Sequence, residues 1–139
     1  MRYKIPVQII ELESENYHVL VSSAFFDGTK GNWVIDTGAS KSVFDKNMVN
    51  YYSVFEDETE ELHSAGLDQE PLTTIIGYMK TFSLGKMKIE NMKIALLDLS
   101  HINELYSKAT DLKICGLIGS DFLVKHGAVI DYRKGILKL

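Results

Sequence analysis

The stretch that decides the fold is Trp33-Val34-Ile35-Asp36-Thr37-Gly38-Ala39-Ser40, in which an apolar strand runs directly into Asp-Thr-Gly. A carboxylate at the end of a buried strand, beside a hydroxyl and a glycine that lets the backbone turn sharply, is an unusual position for a solvated charge. The alternative is an ordinary turn, because Asp and Thr side chains commonly hydrogen-bond nearby backbone N–H groups. The tripeptide alone favours the turn.

A second element farther along the chain changes this balance. It is Ile114-Cys115-Gly116-Leu117-Ile118-Gly119-Ser120-Asp121-Phe122-Leu123, and Ala128-Val129-Ile130-Asp131-Tyr132 follows it. In this order and spacing, the two elements resemble those of the retropepsin-like aspartic peptidases, with Val34-Ile35-Asp36-Thr37-Gly38-Ala39 as the first motif and Leu117-Ile118-Gly119 as the second. The ending Ile130-Asp131-Tyr132 is similar to that of bacterial members. The resemblance extends from about Tyr17 to Leu139.

The resemblance implies a mostly β fold: a closed retropepsin-like acid-protease barrel with one or two short helices, which supplies half of a pepsin-type site. It also implies an aspartic endopeptidase that hydrolyses peptide bonds in a peptide or protein substrate, works as a homodimer and needs no cofactor.

The resemblance also implies roles for particular residues. Asp36 would be the catalytic carboxylate, Thr37 would tie the two active-site loops together across the dimer, and Gly38 would approach and hydrogen-bond the substrate. Leu117, Ile118 and Gly119 would support the Asp36 loop from behind. Substrate would also contact Ala39, Ser40 and a flap at Ser64-Ala65-Gly66-Leu67-Asp68, where Ala65, Gly66 and Leu67 are the candidates and an ordinary surface loop is the alternative.

The chemistry by itself requires a second acid. Peptide hydrolysis without a metal or a covalent nucleophile needs one carboxylate to take a proton from water and another acidic group to protonate the carbonyl oxygen. Two carboxylates about 3 Å apart share one proton, because both cannot be ionised together. The chain has a single Asp-Thr-Gly, so an identical copy would supply the partner across a twofold axis.

Three alternatives stay open. A monomer would have to recruit Asp121 or Asp131, but Asp121 stands at a predicted helix start, where capping is the expected role, and Asp131 lies in a terminal strand. The fold could persist as a catalytically weak or inactive module for peptide binding or dimerisation. The third alternative is a monomeric β-barrel without the carboxylate pair.

Ala39 sets an expectation for the pH optimum. A hydroxyl residue at this position would donate a hydrogen bond that favours the ionised acid, and Ala39 cannot. We therefore expect an optimum of about pH 5–7 rather than a strongly acidic one.

Composition limits the class of protein. The 139 residues form a single predicted domain, 1–139, with 45% apolar and 24% charged residues. A net charge of −4 argues against a nucleic-acid partner, and no apolar run is long enough for a membrane helix. Glu11, Glu13 and Glu15 interrupt any secretory apolar block, so a cytoplasmic protein is expected.

Metal and thiol chemistry have little support in the sequence. The single cysteine, Cys115, lies in apolar sequence and is expected to be a buried structural thiol. No ligand spacing typical of a metal site links the four histidines, which are His18, His63, His101 and His126. No metal site is predicted.

Short apolar runs between turn residues predict the elements. Strands are expected over 5–12, 17–26, 32–35, 72–84, 86–89, 92–97, 128–132 and 136–139, with hairpin turns at 27–31, 84–86 and 90–91. Two helices are expected, one capped by Ser100 with a face of Ile102, Leu105, Tyr106 and Ala109, and one capped by Ser120 that ends at Gly127. The acidic segment 55–61 is interpreted as a solvated loop or strand edge, with a cationic-ligand site as the minor alternative.

Overall fold

The computed structural model of the protein describes residues 2–55, 58–62 and 72–139. These residues form thirteen strands, two α-helices and a short 3₁₀ turn at Val49–Tyr51. The strands are β1 (Lys4–Glu13), β2 (Asn16–Phe25), β3 (Lys30–Ile35), β4 (Val43–Asp45), β5 (Tyr52–Ser53), β6 (Thr59–Leu62), β7 (Leu72–Met79), β8 (Phe82–Leu84), β9 (Met87–Ile89), β10 (Lys93–Leu97), β11 (Ile114–Ile118), β12 (Val129–Asp131) and β13 (Ile136–Lys138). The helices are α1 (Ser100–Ser107) and α2 (Ser120–Lys125).

The strands join in the order β12-β13-β1-β2-β3-β11-β4-β10-β7-β5, with β6 added to β7 and the β8–β9 hairpin added to β2. The mostly β class is therefore confirmed. The described strands follow a path with two ends, β12 and β5, so the sheet does not close into the barrel that was expected. Strand β1 divides its pairing within this path: Lys4–Pro6 pairs with β13, whereas the rest of the strand pairs with β2.

The strand that leads into Asp36 is buried on both faces. Successive side chains of a strand point to opposite sides, and here Trp33 and Ile35 enter one apolar cluster while Val34 enters the other. Strand β2 is divided in the same way by Val21 and Leu20. The unbroken apolar run before Asp36 is therefore explained by burial on two sides.

Trp33 is the centre of the larger cluster. Its ring stacks on Phe82, with centroids 5.4 Å apart and planes 18° apart. The indole N–H is buried with the ring and donates a 2.9 Å hydrogen bond to Ser23 Oγ. The polar atom of this side chain is thus paired, as burial requires.

Most of the predicted strands and turns are present, but two details were wrong. The turn at 90–91 does not make a hairpin, because β9 pairs with β8 and β10 pairs with β4 and β7. Neither predicted serine is a helix cap: the N-caps are Leu99 and Gly119, and each serine is the first helical residue. In α1 the Ser100 hydroxyl instead donates to Asp98 Oδ1 at 2.6 Å.

The first helix is also shorter than its predicted apolar face. It ends at Ser107, so Ala109 lies outside it, and Leu105 is exposed. Tyr106, which is 2% exposed, is the buried residue through which this helix packs. In the described part of the chain, neither helix has the length or apolar character to cross a membrane.

Gly116 gives a test of the packing between β11 and its neighbours. A Cβ on this residue would lie 2.5 Å from the Val43 carbonyl oxygen and 2.6 Å from the Trp33 ring. We expect Gly116→Ala to lower the free energy of unfolding by about 3 kcal/mol, because backbone and a packed ring must both move. Urea denaturation measures the change.

Gly28→Ala is the matched control. Gly28 has a φ of 84°, but a Cβ there would meet nothing within 4 Å. The cost should be about 1 kcal/mol, since only the left-handed backbone conformation opposes a side chain. Equal losses in the two variants would contradict the proposed packing.

Candidate active site

Asp36 begins a tight turn directly after β3. Its backbone N–H donates to the Ile118 carbonyl at 2.9 Å, and its own carbonyl accepts from Ala39 N at 3.1 Å. The carboxylate oxygen Oδ1 accepts the Gly38 N–H at 3.1 Å. The turn considered from the sequence is therefore present, and it holds the half-buried carboxylate in one place.

Strand β11 lies between the two strands that flank the Asp36 loop. It pairs in parallel with β3, where Ile118 is opposite Ile35, and antiparallel with β4, where Leu117 is opposite Val43. Sequence-distant segments are thus brought together at the point where β3 ends. The structure places Leu117, Ile118 and Gly119 beside and behind the Asp36 loop.

Gly119 allows the loop and β11 to approach closely. A Cβ at this position would lie 2.8 Å from the carbonyl oxygens of Ala39 and Lys41. The next residue, Ser120, donates its backbone N–H to the Ala39 carbonyl at 2.8 Å. The start of α2 is therefore bonded directly to the loop that carries Asp36.

Ser42 and Asp121 form a second connection between these segments. The buried Ser42 hydroxyl donates to Asp121 Oδ1 at 2.7 Å and accepts the Gly119 N–H at 2.9 Å. Asp121 also accepts the backbone N–H of Ser42 at 3.0 Å and that of Phe122 at 2.8 Å. Asp121 thus accepts a helix N–H, and its carboxylate also bridges the helix to the segment that follows the Asp36 loop.

This connection was missed in the sequence. Three small residues, Ala39, Ser40 and Ser42, follow Gly38 within a short stretch, and nothing in their spacing distinguishes Ser42 from Ser40. Only the strand order, which places β4 beside β11, identifies Ser42 as the partner of Asp121.

Asp36 lines a cavity of about 350 Å³. Of the described residues that line it, Asp36 is the one carboxylate. The acids considered for a monomeric site are engaged elsewhere, because Asp121 bonds to Ser42 and Asp131 Oδ1 accepts the Lys134 N–H at 2.9 Å. The described part of one chain therefore presents a single acid at this site.

Tyr106 and His18 line the same cavity and pair with each other. Tyr106 Oη lies 2.8 Å from His18 Nδ1, and the rings meet edge to face with centroids 5.6 Å apart. Burial, with a further contribution from the charge of Asp36, raises the pKa of Tyr106 to about 12. Neither residue was identified from the sequence as part of the site, since α1 and β2 are far apart along the chain.

Thr37 and Ser40 lie on the exposed side of the loop. Within the described ranges 2–55, 58–62 and 72–139, no residue hydrogen-bonds either hydroxyl.

The candidate flap residues Ala65, Gly66 and Leu67 lie outside the described residues, as does His63. The strands on either side of this segment, β6 and β7, pair antiparallel. Leu137 and Leu139 are buried in the core of their own chain.

A second cavity, of about 360 Å³, is lined in part by Lys41 and Ser42, which follow the Asp36 loop, and its charges are largely paired. Glu60 on β6 contacts Lys93 Nζ at 2.5 Å and Lys41 Nζ at 3.3 Å. The hydrogen bond from Lys93, with a smaller contribution from Lys41, holds the pKa of Glu60 below its usual range. The pair with Lys41 connects β6 to the chain that follows Ser40.

Neither the Cys115 thiol nor His126 forms a second candidate site in the described part of the structure. Cys115 is buried, and burial raises the pKa of its thiol well above the ordinary value. His126 packs on Phe122, and burial lowers its pKa. No group of three or more His, Cys, Asp or Glu side chains among the described residues is placed to hold a metal ion.

The Ser42 connection can be tested by stability. We expect Ser42→Ala to lower the free energy of unfolding by about 1–3 kcal/mol, because it removes two hydrogen bonds and leaves the buried Gly119 N–H without its partner. Ser40→Ala is the control and should change stability by less than about 0.5 kcal/mol, since that side chain is exposed. Thermal or urea unfolding of both variants measures this, and similar values for the two would contradict the role of Ser42.

Comparisons with known proteins agree with this geometry. A retropepsin-like aspartic protease from Rickettsia conorii has 18% sequence identity and a TM-score of 0.53 over 100% of this chain and 90% of its own. The retroviral protease-like domain of Ddi1 from Leishmania major has 18% identity and a TM-score of 0.51 over 85% of this chain and 80% of its own. These likenesses show the retropepsin-like fold. Comparison with curated proteins finds no match.

The family is shown by a different comparison. The model of the aspartyl protease family matches residues 22–122, which include both the Asp36 loop and the whole of β11. Since that range covers well over half of the sequence, this chain belongs to the aspartyl protease family.

Proposed function

We propose that the protein is an aspartic endopeptidase in which the Asp36 carboxylates of two identical chains activate a water molecule. The observation that carries the proposal is the position of Asp36. Its carboxylate stands half-buried at the end of a strand, in a turn bonded to β11, and faces a cavity. A carboxylate at a cavity, fixed by surrounding backbone, is a candidate for acid–base chemistry.

The proposed reaction uses the two acids in different protonation states. One carboxylate takes a proton from water as the water oxygen bonds to the peptide carbonyl carbon, and the other acid gives its proton to the carbonyl oxygen. When the carbon–nitrogen bond breaks, the leaving nitrogen takes up a proton and the carboxylic acid product forms. The single proton shared by the pair is regenerated, so the reaction needs only water as co-substrate.

The homodimer follows from the lack of a second acid. Asp36 is the one carboxylate among the described residues at its cavity, and Asp121 and Asp131 are held by hydrogen bonds elsewhere. A twofold axis beside Asp36 would supply the missing group. The exposed hydroxyl of Thr37 is free to bond across such an axis, in line with the role that the family resemblance implies.

The pH optimum of about 5–7 expected from Ala39 stays a prediction. In the structure the methyl group of Ala39 can offer no hydrogen bond, and the residue contributes its backbone N–H to the Asp36 carbonyl. A rate profile with its maximum near pH 2 would contradict this expectation.

Asp36→Asn tests the catalytic role directly. We expect peptide cleavage to fall by at least about a thousandfold, because the amide keeps the shape of the side chain but cannot accept the proton from water. Cleavage of a peptide library, followed by mass spectrometry, measures the loss. The alternative, a peptide-binding module without turnover, would give binding but no cleavage even in the unmodified protein.

Asp131→Asn is the matched control for this substitution. Its amide oxygen can still accept the Lys134 N–H, and the residue is the last one of β12, directly before the turn to β13. Cleavage should stay close to that of the unmodified protein. Equal cleavage by the Asp36 variant and the control would remove Asp36 from the mechanism.

Mixing of chains tests whether two Asp36 residues act together. We expect an equal mixture of unmodified and Asp36→Asn chains, once exchanged, to retain about half of the activity per mole of unmodified chain, because random pairing places half of those chains in mixed dimers. A larger excess of the variant should reduce the activity further. Activity that does not change on mixing would show that one chain is sufficient.

A further inference from the structure

The inference concerns the edge of the His18 ring that Tyr106 leaves unused. Both residues line the cavity that holds Asp36, whose other walls come mainly from apolar and aromatic side chains of β2, β3, β11 and α1. A volume of about 350 Å³ is at the lower end of the roughly 300–1,000 Å³ typical of ligand sites. A cavity of this size beside Asp36 suits one side chain of an extended peptide.

The hydrogen bond from Tyr106 determines which nitrogen of the neutral His18 ring carries the proton. Tyr106 is 2% exposed, and its hydroxyl has His18 Nδ1 at 2.8 Å. A buried hydroxyl hydrogen without an acceptor is costly, so we assign the hydroxyl as the donor and Nδ1 as the acceptor. The neutral ring then carries its proton on Nε2.

The Nε2 donor has no acceptor among the described residues, whereas Nδ1 is occupied by Tyr106. His18 is partly exposed, so water can satisfy Nε2 in the free protein. When a substrate side chain fills the cavity and displaces that water, the donor must find an acceptor on the substrate or stay unpaired. An unpaired donor in a dry site reduces binding.

We propose that His18 is a specificity-determining residue, and that its Nε2–H selects substrates whose side chain beside the scissile bond has an apolar body and a hydrogen-bond acceptor at its end. Tyrosine fits this description, and phenylalanine has the same shape without the acceptor. Tyr106 acts through His18 as a positioning residue, because it fixes the edge of the ring that faces the substrate. The proposal rests on the proposed function, since it takes the Asp36 cavity to be the substrate site.

The competing interpretation is that His18 serves only to satisfy the buried hydroxyl of Tyr106. In that case the ring would be needed for stability, and the protein would not distinguish tyrosine from phenylalanine. The two interpretations predict different ratios between the affinities for a tyrosine peptide and a phenylalanine peptide. A change in overall stability does not alter this ratio.

The experiment uses two peptides that differ only in Tyr or Phe at one position. The parent peptide is selected from a library by its binding to the Asp36→Asn variant, and the exchange is made at each apolar position, including those next to the cleaved bond where the unmodified protein cleaves it. Because a twofold dimer carries the cavity on both sides of the bond, the exchange is made on either side in turn. Affinities are measured by titration calorimetry in the Asp36→Asn background, so the result does not require turnover. We expect the tyrosine peptide to bind about tenfold more tightly, as for one hydrogen bond in a site closed to water.

Substitutions of His18 then test its role. His18→Phe keeps a planar ring without nitrogen. His18→Met keeps a weak sulfur acceptor for the Tyr106 hydroxyl but has no donor, and so protects the fold if the first variant is unstable. Both should bring the ratio of affinities to about one. Tyr106→Phe should reduce the ratio as well, because the His18 ring is no longer held by its Nδ1 edge.

The possible outcomes separate the two proposals. A tyrosine preference that depends on His18, in a protein that never cleaves, would support the inference and overturn the proposed function. Cleavage without a preference, a preference that survives both His18 variants, or no binding of either peptide would overturn the inference.

Discussion

The structure around the candidate active site depends on the insertion of β11 between β3 and β4. One strand forms a parallel pair on one side and an antiparallel pair on the other, so backbone groups of a single strand hold both neighbours. This requires close approach in the middle of the strand and just beyond its end. Gly116 lets the Trp33 ring and the Val43 carbonyl reach the backbone, and Gly119 does the same for the loop after Asp36.

The same insertion explains why the carboxylate is well fixed although it is only half-buried. Asp36 is bonded through its backbone to Ile118, and the loop that follows is bonded to Ser120 and, through Ser42, to Asp121. Two segments far apart in sequence, 36–42 and 118–121, are therefore bonded to each other at several points and fix one loop position. A group that must act as an acid or a base needs this kind of support, since small displacements of a catalytic group are costly.

Much of the fold could be predicted because its signals are local. The apolar run ending in Asp36 and the turn residues at 27–31 and 84–86 define strands and hairpins without reference to the rest of the chain. The short strands β4 and β5 carry no such signal, because each has three residues or fewer and takes its conformation from its partners. Strand pairing also determines why 90–91 is not a hairpin turn. Asn91, with a φ of 54°, reverses the chain, but β10 then pairs with β4 and β7 and not with β9.

The candidate site was predictable in its motif and not in its surroundings. Asp36 and Leu117-Ile118-Gly119 are recognisable by order and spacing, whereas Ser42, His18 and Tyr106 join the site through strand order and through the position of α1. The predicted cap at Ser100 is absent for a local reason. The Ser100 hydroxyl donates its hydrogen bond to Asp98 and makes none to the helix backbone.

The division of β1 between two partners has a consequence for folding. Its first residues pair with β13, and the ends of the described chain meet in two hydrogen bonds between Tyr3 and Leu139, at 2.8 and 3.0 Å. This is among the least local contacts the chain can make, and closing so large a loop costs entropy before the contact stabilises anything. The first residues of β1 therefore cannot pair until β13 is available, and a nascent chain holds an unfinished sheet edge until residue 138 has been synthesised.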